Sequence, residues 1–430
     1  MNPVRDMKKE NKESNKSRFS NGVKKSTLKL VSGGVAAPTG FLASGLHCGV
    51  KAKSKKKDLS LIYSETLCNA VGVFTTNKVQ ASCVVINKEH LKGGKGQAII
   101  ANSGNANCMT GKKGFADSHA MAKTAGEALG VSEEHVCVAS TGVIGQPLQI
   151  GLIVNAIPAL AEGLSTAGST DAALGILTTD RTIKEVAAEI VIGGKKVRIG
   201  AIAKGAGMIH PQMGHATMLC FVTTDAAVAP KALRAALDEA VGQSFNMITI
   251  DGDMSTNDMV LLLGNGMAGN KTITKGSKEF IVFSNALAEL FLILAKLMVR
   301  DAEGATKFVE ISVGGAKTSA DAQKVARSIA SSNLVKCALF GSDPNWGRIA
   351  AAAGYSGAYV DPWKMKIYIG KELVLKNGGG VSKSPASLDR IFAKKDIHIT
   401  VDLGVGKSGA SAYTCDLSTS YVEKNSAYRT

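Results

Sequence analysis

The sequence predicts a layered α+β protein of about two or three domains, and three observations carry that reading. Strand-like runs come as adjacent pairs, most plainly EIVIGGKKVRIGAIA (189–203) and KIYIGKELVLK (366–376), which favours hairpins over a doubly wound parallel sheet. Helical periodicity is confined to separate blocks. Finally, 45% hydrophobic and 20% charged residues over 430 positions allow a sizeable buried core and exclude disorder throughout. With 47 glycines against 9 prolines, the chain is built for tight turns rather than a Pro-rich scaffold.

In chain order, residues 1–27 lack periodicity and read as a flexible basic arm. Short apolar runs follow at 59–64, 70–75, 83–86 and 97–101, each bounded by Gly/Asn turns and each expected to be a strand. A helix is expected over 114–130, with Gly130 as its C-cap. HVCVAS (135–140) reads as a strand ending in STGVIG, and 149–164 as a helix. The hairpin at 189–203 turns at Gly193-Gly194, TMLCFVTT (217–224) is a buried strand, and Pro230 opens a helix to about Gly242. Beyond it come a helix over 285–300, a strand at 308–313, a helix over 319–331, the second hairpin and a strand at 397–404.

The charge narrows the functional classes. The net charge is +16, but residues 1–57 hold 14 Lys/Arg against 3 Asp/Glu, leaving 37 against 32 in the rest. A nucleic-acid-binding body would carry its positive charge on a folded face, so the near-neutral remainder argues against that class and leaves a solvated tail. The 8 cysteines include no C-x-x-C pair, and several sit in apolar runs, so no disulfide framework is expected. The polar N-terminus lacks the apolar core of a signal peptide. The 285–300 helix carries Glu289 and Lys296 and reads as too short for a bilayer, so the expectation is a cytoplasmic protein with no membrane partner.

Common motifs fail on inspection. GVGKSG (404–409) would need a glycine at Val401 to complete a Walker A loop, and Gly354-Tyr355-Ser356-Gly357-Ala358 has the wrong frame for a nucleophile elbow. Of the 7 histidines only His210 and His215 are close, and no acid or thiol stands at ligand spacing, so no metal is expected.

One segment does not read as ordinary structure: Lys204–Asp225, KGAGMIHPQMGHATMLCFVTTD. A glycine-bearing loop runs directly into an apolar strand that opens with Thr217 after Ala216. A threonine hydroxyl in a strained loop can attack the preceding carbonyl, converting the Ala216–Thr217 amide to an ester that water cleaves. The freed α-amine, with a pKa near ~8, could then serve as general base for its own hydroxyl. Thr217 as a plain β-branched residue opening a strand is the alternative reading from the residues alone.

The run KGAGMI…ATMLCFVTTDA resembles the processing site of the ArgJ family, glutamate N-acetyltransferases that take acetyl from N-acetylornithine. The other motifs appear in the family's order: GGVAAPTGFLASGLHCGVK (33–51), GVFTTN (72–77), ANSGNAN (101–107), STGVIG (140–145), TTD (178–180), SFNMITIDGDMSTND (244–258), RDAEGATK (300–307), DPNWGRI (343–349) and NSAYRT (425–430). The resemblance implies Thr217 as nucleophile and new N-terminus, with Thr141 and Gly142 as the oxyanion hole. It implies substrate contacts from Thr178, Lys204, Thr217, Glu303, Asn425 and Thr430. Two features depart from the family pattern. The loop before Ala216 is longer than usual, and TTD is followed by Arg181-Thr182-Ile183-Lys184, which leaves Thr179 open beside Thr178.

The implied fold is an ArgJ/DmpA-like αββα arrangement with a smaller C-terminal α/β domain. The expected layout is an α chain over 28–216 and a β chain over 217–430. Within the latter, a catalytic part runs to about 284, the smaller domain covers about 285–415, and a tail over 416–430 returns to the site. The implied activity is self-cleavage followed by acetyl transfer from N-acetylornithine to glutamate, in an α2β2 heterotetramer, with no bound cofactor and acetyl-CoA open as a second donor. A DmpA-like self-processing aminopeptidase is the competing class, although serine is expected there in place of Thr217.

Overall fold

The computed structural model describes residues 28–210, 218–381 and 385–427. The basic arm, Ala216, Thr217 and Thr430 lie outside the described residues. Contacts divide the chain into two compact units. The larger holds 28–246, 253–303 and 425–427 of the described residues, and the smaller holds Met247–Gly252 and Gly304–Lys424.

The larger unit is built on nine strands: β1 (Lys29–Val31), β2 (Phe41–Leu46), β3 (Leu59–Phe74), β4 (Lys95–Asn105), β5 (Val136–Val143), β6 (Lys184–Ile192), β7 (Lys195–Lys204), β8 (Leu219–Thr224) and β9 (Met259–Gly264). They run in the order β1-β6-β7-β8-β9-β3-β4-β5, with β2 also on β3. The two runs expected at 59–64 and 70–75 are one strand of 16 residues. Its first part pairs with β2 and β4 and its last part with β9, with a register shift between Tyr63 and Cys68. β3 thereby joins two strand neighbourhoods whose inward faces share one core, Ile99, Ile100 and Val138 from one and Ile202, Phe221 and Leu261 from the other. The β6–β7 hairpin turns where expected, with Gly193 at φ 55° and Gly194 at φ 78°, the left-handed pair that a two-residue turn requires.

Helices cover the sheet. Gly111–Leu129 ends at Gly130, whose left-handed conformation caps it as expected, and Pro230–Gln243 starts on its proline. The segment 83–86 is a correction: it is not a strand but part of the helix Ser82–His90. Four β-branched and sulfur-bearing residues look strand-like in isolation, yet Cys83, Val84, Ile86 and Asn87 form one buried helical face, and packing overrides propensity. Helix 285–300 is also longer than expected. It spans Lys278–Arg300, capped by the Ser277 hydroxyl accepting the Phe280 N–H at 3.0 Å, a contact of the kind that contributes about 0.5–2 kcal/mol. At 23 residues it is long and apolar enough to cross a membrane, contrary to the expectation. Its apolar positions, however, are used inside the unit: Phe283, Leu287, Phe291 and Leu294 are fully buried, and Phe291 packs on Phe245 at 5.0 Å between ring centroids. Ser284 also donates to Glu239 on the neighbouring helix at 2.7 Å. That packing places 278–300 with the larger unit, so the division falls at Gly304 and not near 285.

The smaller unit has a six-stranded sheet: β10 (Phe308–Ala316), β11 (Lys366–Ile369), β12 (Glu372–Lys376), β13 (Gly379–Gly380), β14 (Asp396–Asp402) and β15 (Ser408–Cys415), ordered β13-β12-β11-β14-β10-β15. Val309, Ile311, Ile367, Ile399 and Val401 face Val325, Ile329 and Ile349 on its helices. Asn345 of DPNWGRI caps one of these, accepting the Arg348 N–H at 3.2 Å. Met247–Gly252 joins this unit, with the Thr249 N–H donating to the Tyr413 carbonyl at 3.0 Å. Two sheets with helices packed on each make the mixed α+β fold that the paired strands predict.

Candidate active site

The site grows from the ends of β4 and β5. These strands run parallel, with Ser103 opposite Thr141 and Gly104 opposite Gly142, and the register breaks at Asn105. Asparagines lock the ends together. Asn102 donates to the Asn105 carbonyl at 2.9 Å, and buried Asn257 donates to the Ala106 and Ser140 carbonyls at 2.6 and 2.8 Å. Much of ANSGNAN and the end of SFNMITIDGDMSTND is therefore framework. Gly142 has φ 134°, and a Cβ there would lie 2.3 Å from the Gly104 carbonyl carbon. No side chain fits, so backbone alone faces the strand end at this position.

Thr141 and Lys204 meet in this frame. Lys204 is the last residue of β7, and its ammonium donates to Thr141 Oγ1 at 3.2 Å, both side chains being almost buried. Burial pushes the Lys204 ammonium below its ordinary value; Asp180 pulls it back up, the Lys184 cation lowers it further, and Asp258 and Glu303 support the charge. Because Thr141 Oγ1 accepts from the lysine, its own hydrogen is directed elsewhere, as a hydroxyl carries one donor.

The loop after Lys204 continues the site. The Gly205 N–H donates to Asp180 Oδ1 at 2.7 Å, and the Glu303 N–H donates to the Ala206 carbonyl at 2.9 Å. The Glu303 carboxylate sits over Gly207, 2.7 Å from where a Cβ would be, so a side chain there would have to displace that carboxylate. Asn425, in the helix Thr419–Ala427, donates to Glu303 Oε2 at 2.9 Å. The Thr178 N–H reaches Asp180 Oδ2 at 3.3 Å. Of the residues expected at the site, Thr141, Gly142, Thr178, Lys204, Glu303 and Asn425 are thus linked in one network. Ala216, Thr217 and Thr430 lie outside the described residues, as does His215. The described chain resumes at Met218, and Leu219 pairs with Lys204 across β7 and β8.

Beneath this network lies an ion cluster that sequence reasoning missed. Lys184, fully buried, bridges Asp180 and Asp301 at 2.6 Å each, and Asp301 also accepts the Arg181 and Thr182 N–H groups at 3.0 and 3.2 Å. Burial alone would raise the Asp180 carboxyl, but Lys184 and Lys204 together hold it down at about 2. Asp180 and Asp301 stand in TTD and RDAEGATK, while Lys184 stands in the segment that departs from the family pattern. No spacing rule connects residues 117 positions apart, so only the fold brings Lys184 and Asp301 together.

Other groups are accounted for locally. Cys83 and Cys137 are fully buried, and burial pushes both thiols up to about 12, so they behave as small apolar residues. His90, His119 and Glu133 bring their ligand atoms within 4.8 Å of one another. Hydrogen bonds explain that cluster: His119 Nδ1 to Glu133 at 2.8 Å and His90 Nδ1 to the Val136 carbonyl at 2.8 Å.

Comparison with known proteins adds independent findings. A family model described as the ArgJ family matches residues 42–430. The arginine biosynthesis bifunctional protein ArgJ of Symbiobacterium thermophilum is 50% identical over 404 residues, covering 94% of this chain and 100% of its own length. A crystal structure of the Bacillus halodurans protein of the same description is 41% identical with a TM-score of 0.48, covering 49% of this chain and 100% of that one. A structure of ornithine acetyltransferase complexed with ornithine from Mycobacterium tuberculosis is 35% identical with a TM-score of 0.40, covering 43% of this chain and 99% of that one.

Proposed function

The chain belongs to the ArgJ family, and from that premise we propose that it is a self-cleaving acetyltransferase moving acetyl from N-acetylornithine to glutamate in arginine biosynthesis. The observation that carries the site assignment is the buried Lys204–Thr141 contact beside Gly142, at the strand end where Leu219 pairs with Lys204. Thr217 precedes that strand by one residue, Met218, and in this reading it is both the cleaved residue and the nucleophile.

The chemistry then runs in two halves. The free α-amine of Thr217 takes the proton of its own hydroxyl, and the oxygen attacks the acetyl carbonyl of N-acetylornithine. The tetrahedral oxyanion is met by the Gly142 N–H and the Thr141 hydroxyl, whose oxygen the Lys204 cation polarises. Collapse expels ornithine, which takes the proton back, and leaves acetyl-Thr217. The deprotonated amine of glutamate attacks that ester, the Thr217 amine passes the attacking amine's proton to the departing Thr217 oxygen, and N-acetylglutamate leaves with the Thr217 hydroxyl restored. Donor and acceptor share a carboxylate and an amine-bearing carbon, so one pocket serves both: Lys204 suits the carboxylate, Glu303 a substrate ammonium, and Thr178, Asn425 and Thr430 the remaining polar groups. Splitting the transfer avoids holding two substrates at once.

Initial rates measured against both substrates test this reading. Parallel double-reciprocal lines, with acetyl trapped on the Thr217 peptide when glutamate is withheld, are the expected result; intersecting lines and no trapped acetyl contradict it. Release of amino acids from peptides without any dependence on glutamate identifies the aminopeptidase class instead. The relatives' description as bifunctional extends the proposal to acetyl-CoA as a second donor, read out as free CoA released in the presence of glutamate.

A further inference from the structure

The segment 33–51 is among the longest of the shared motifs, yet the reaction just described uses none of its side chains. Its end, Lys51, occupies a distinctive place. The loop between β2 and β3 closes around Asp58, which is fully buried and accepts the N–H groups of Cys48, Gly49 and Lys51 at 2.6, 3.2 and 2.9 Å. His47 Nδ1 stands 3.1 Å from the same carboxylate. The Asp58 carbonyl accepts the Ser103 N–H at 2.9 Å, which ties the loop to β4 one residue before Gly104. Lys57 ties it down a second time, donating to the Gly45 carbonyl at 2.8 Å and pairing with Asp171 at 2.6 Å.

From this anchored loop the Lys51 side chain crosses Gly104. Its Cγ lies 3.0 Å from where a Gly104 Cβ would be, so the absence of a side chain there makes room for the lysine stem. Gly104 is the residue paired with Gly142. Past it, the ammonium donates to the Lys57 carbonyl at 2.9 Å and to the Leu177 carbonyl at 2.7 Å. Leu177 is bonded to Thr178. One side chain therefore touches both the β4 glycine that pairs with the oxyanion glycine of β5 and the peptide that carries a substrate threonine.

We propose that Lys51 is a positioning residue for acetyl transfer: its stem supports the Gly104–Gly142 strand ends while its ammonium holds the Leu177–Thr178 peptide, fixing the spacing between oxyanion hole and substrate. The inference rests on the site assignment above. A lysine suits this task because its long apolar stem lies against backbone while its terminal donors bond two carbonyl oxygens.

The charge of Lys51 also makes the arrangement sensitive to pH. Burial pulls the ammonium down to about 8; Asp58 raises it, Lys204 and Lys56 lower it, and Asp180 raises it. His47 and Lys57 stand beside the same loop. Above that pH the neutral amine bonds its two carbonyls more weakly than the cation does.

The test uses the full-length, self-processed enzyme, with Lys51→Met keeping the stem and removing the donors, and Lys51→Arg keeping charge and donors. The proposal expects Lys51→Met to be cleaved and folded like the parent, with kcat for acetyl transfer lowered roughly 10- to 100-fold, the size of effect that small misplacements of reacting groups produce. It also expects Lys51→Arg to recover much of that loss, and the alkaline fall in rate near pH 8 to disappear in Lys51→Arg. A cleaved Lys51→Met protein whose kcat and KM stay within about twofold of the parent overturns it. So does a rate loss in both variants that merely follows the loss of folded protein. Failure of the site assignment itself looks different: the parent enzyme then shows no Thr217-bound acetyl, whatever residue stands at 51.

Discussion

Thr141 is the residue on which the chemistry of this site can be isolated most cleanly. Its hydroxyl sits against the Lys204 ammonium at 3.2 Å, and valine has nearly its shape without the oxygen. Thr141→Val is expected to fold normally by circular dichroism and to lower the single-turnover acetylation rate by roughly 10²–10³, the cost of one oxyanion donor. An unchanged rate would remove Thr141 from the oxyanion hole. Gly142→Ala differs in kind. At φ 134°, with Gly104 backbone 2.3 Å from the new methyl, it is expected to misfold locally and lower the melting temperature as well as activity. These two residues were legible only through the resemblance; STGVIG alone is an ordinary glycine turn. Lys51, Lys184 and Asp180 were not legible as a group at all, because neither lysine gives a sign of burial in the sequence until its partners arrive from distant parts of the chain.

At the scale of elements, the ion cluster of Lys184, Asp180 and Asp301 joins β6 to the end of the helix Lys278–Arg300 and to the loop after β7. Lys184→Met removes the cation that bridges the two buried carboxylates, leaving only half-exposed Arg181 beside Asp301 and Lys204 near Asp180, and breaking a buried pair costs about 3–5 kcal/mol. Urea denaturation should register a loss of that order; a loss below about 1 kcal/mol, the value of an exposed pair, would show that the cluster is not the brace described. The same cluster sets an acid limit. Asp180 is held at about 2, below the carboxylate's unfolded value, so its stabilisation is present above about pH 4 and is lost as pH falls toward 2. Unfolding followed between those values should steepen in the parent and flatten in Asp180→Asn, provided that variant folds.

Local signals at element level were read well where backbone geometry is demanding, at the Gly193-Gly194 turn, the Gly130 cap and the Pro230 helix start. They failed where tertiary packing decides. The helix Ser82–His90 shows strand-forming residues at 83–86, and the continuous apolar run of β9 (Met259–Gly264), with every residue buried, has no alternation to mark it as a strand.

At the scale of the whole molecule, the strand order would hold together a chain cut after Ala216, as the proposed self-cleavage requires. β7 belongs to the first half and β8 to the second, and they pair from Ile199–Thr224 to Lys204–Leu219; β3 and β9 pair across the same division from Asn69 to Phe74. The two halves also share one apolar core, Ile99 and Val138 on one side and Phe221 and Leu261 on the other. The cleaved protein is therefore expected to run as a single species on size exclusion and to separate into two chains only in denaturant. Separation under native conditions would mean that these strand pairs do not form. Convergence of Lys204, Glu303 and Asn425 depends on the same architecture, since Glu303 and Asn425 are 122 positions apart and meet only when the last helix is in place.

Self-cleavage at Ala216–Thr217 is the claim from which the nucleophile, the general base and the two-chain assembly all follow. Intact mass and N-terminal sequencing of the purified protein, beside Thr217→Ala, test it most directly. The account predicts two chains from the 44.5 kDa precursor, one beginning Thr-Met-Leu, and a variant that stays uncut and transfers no acetyl. A single uncut chain that still acetylates glutamate would contradict it, because no free threonine amine would then exist to act as the base.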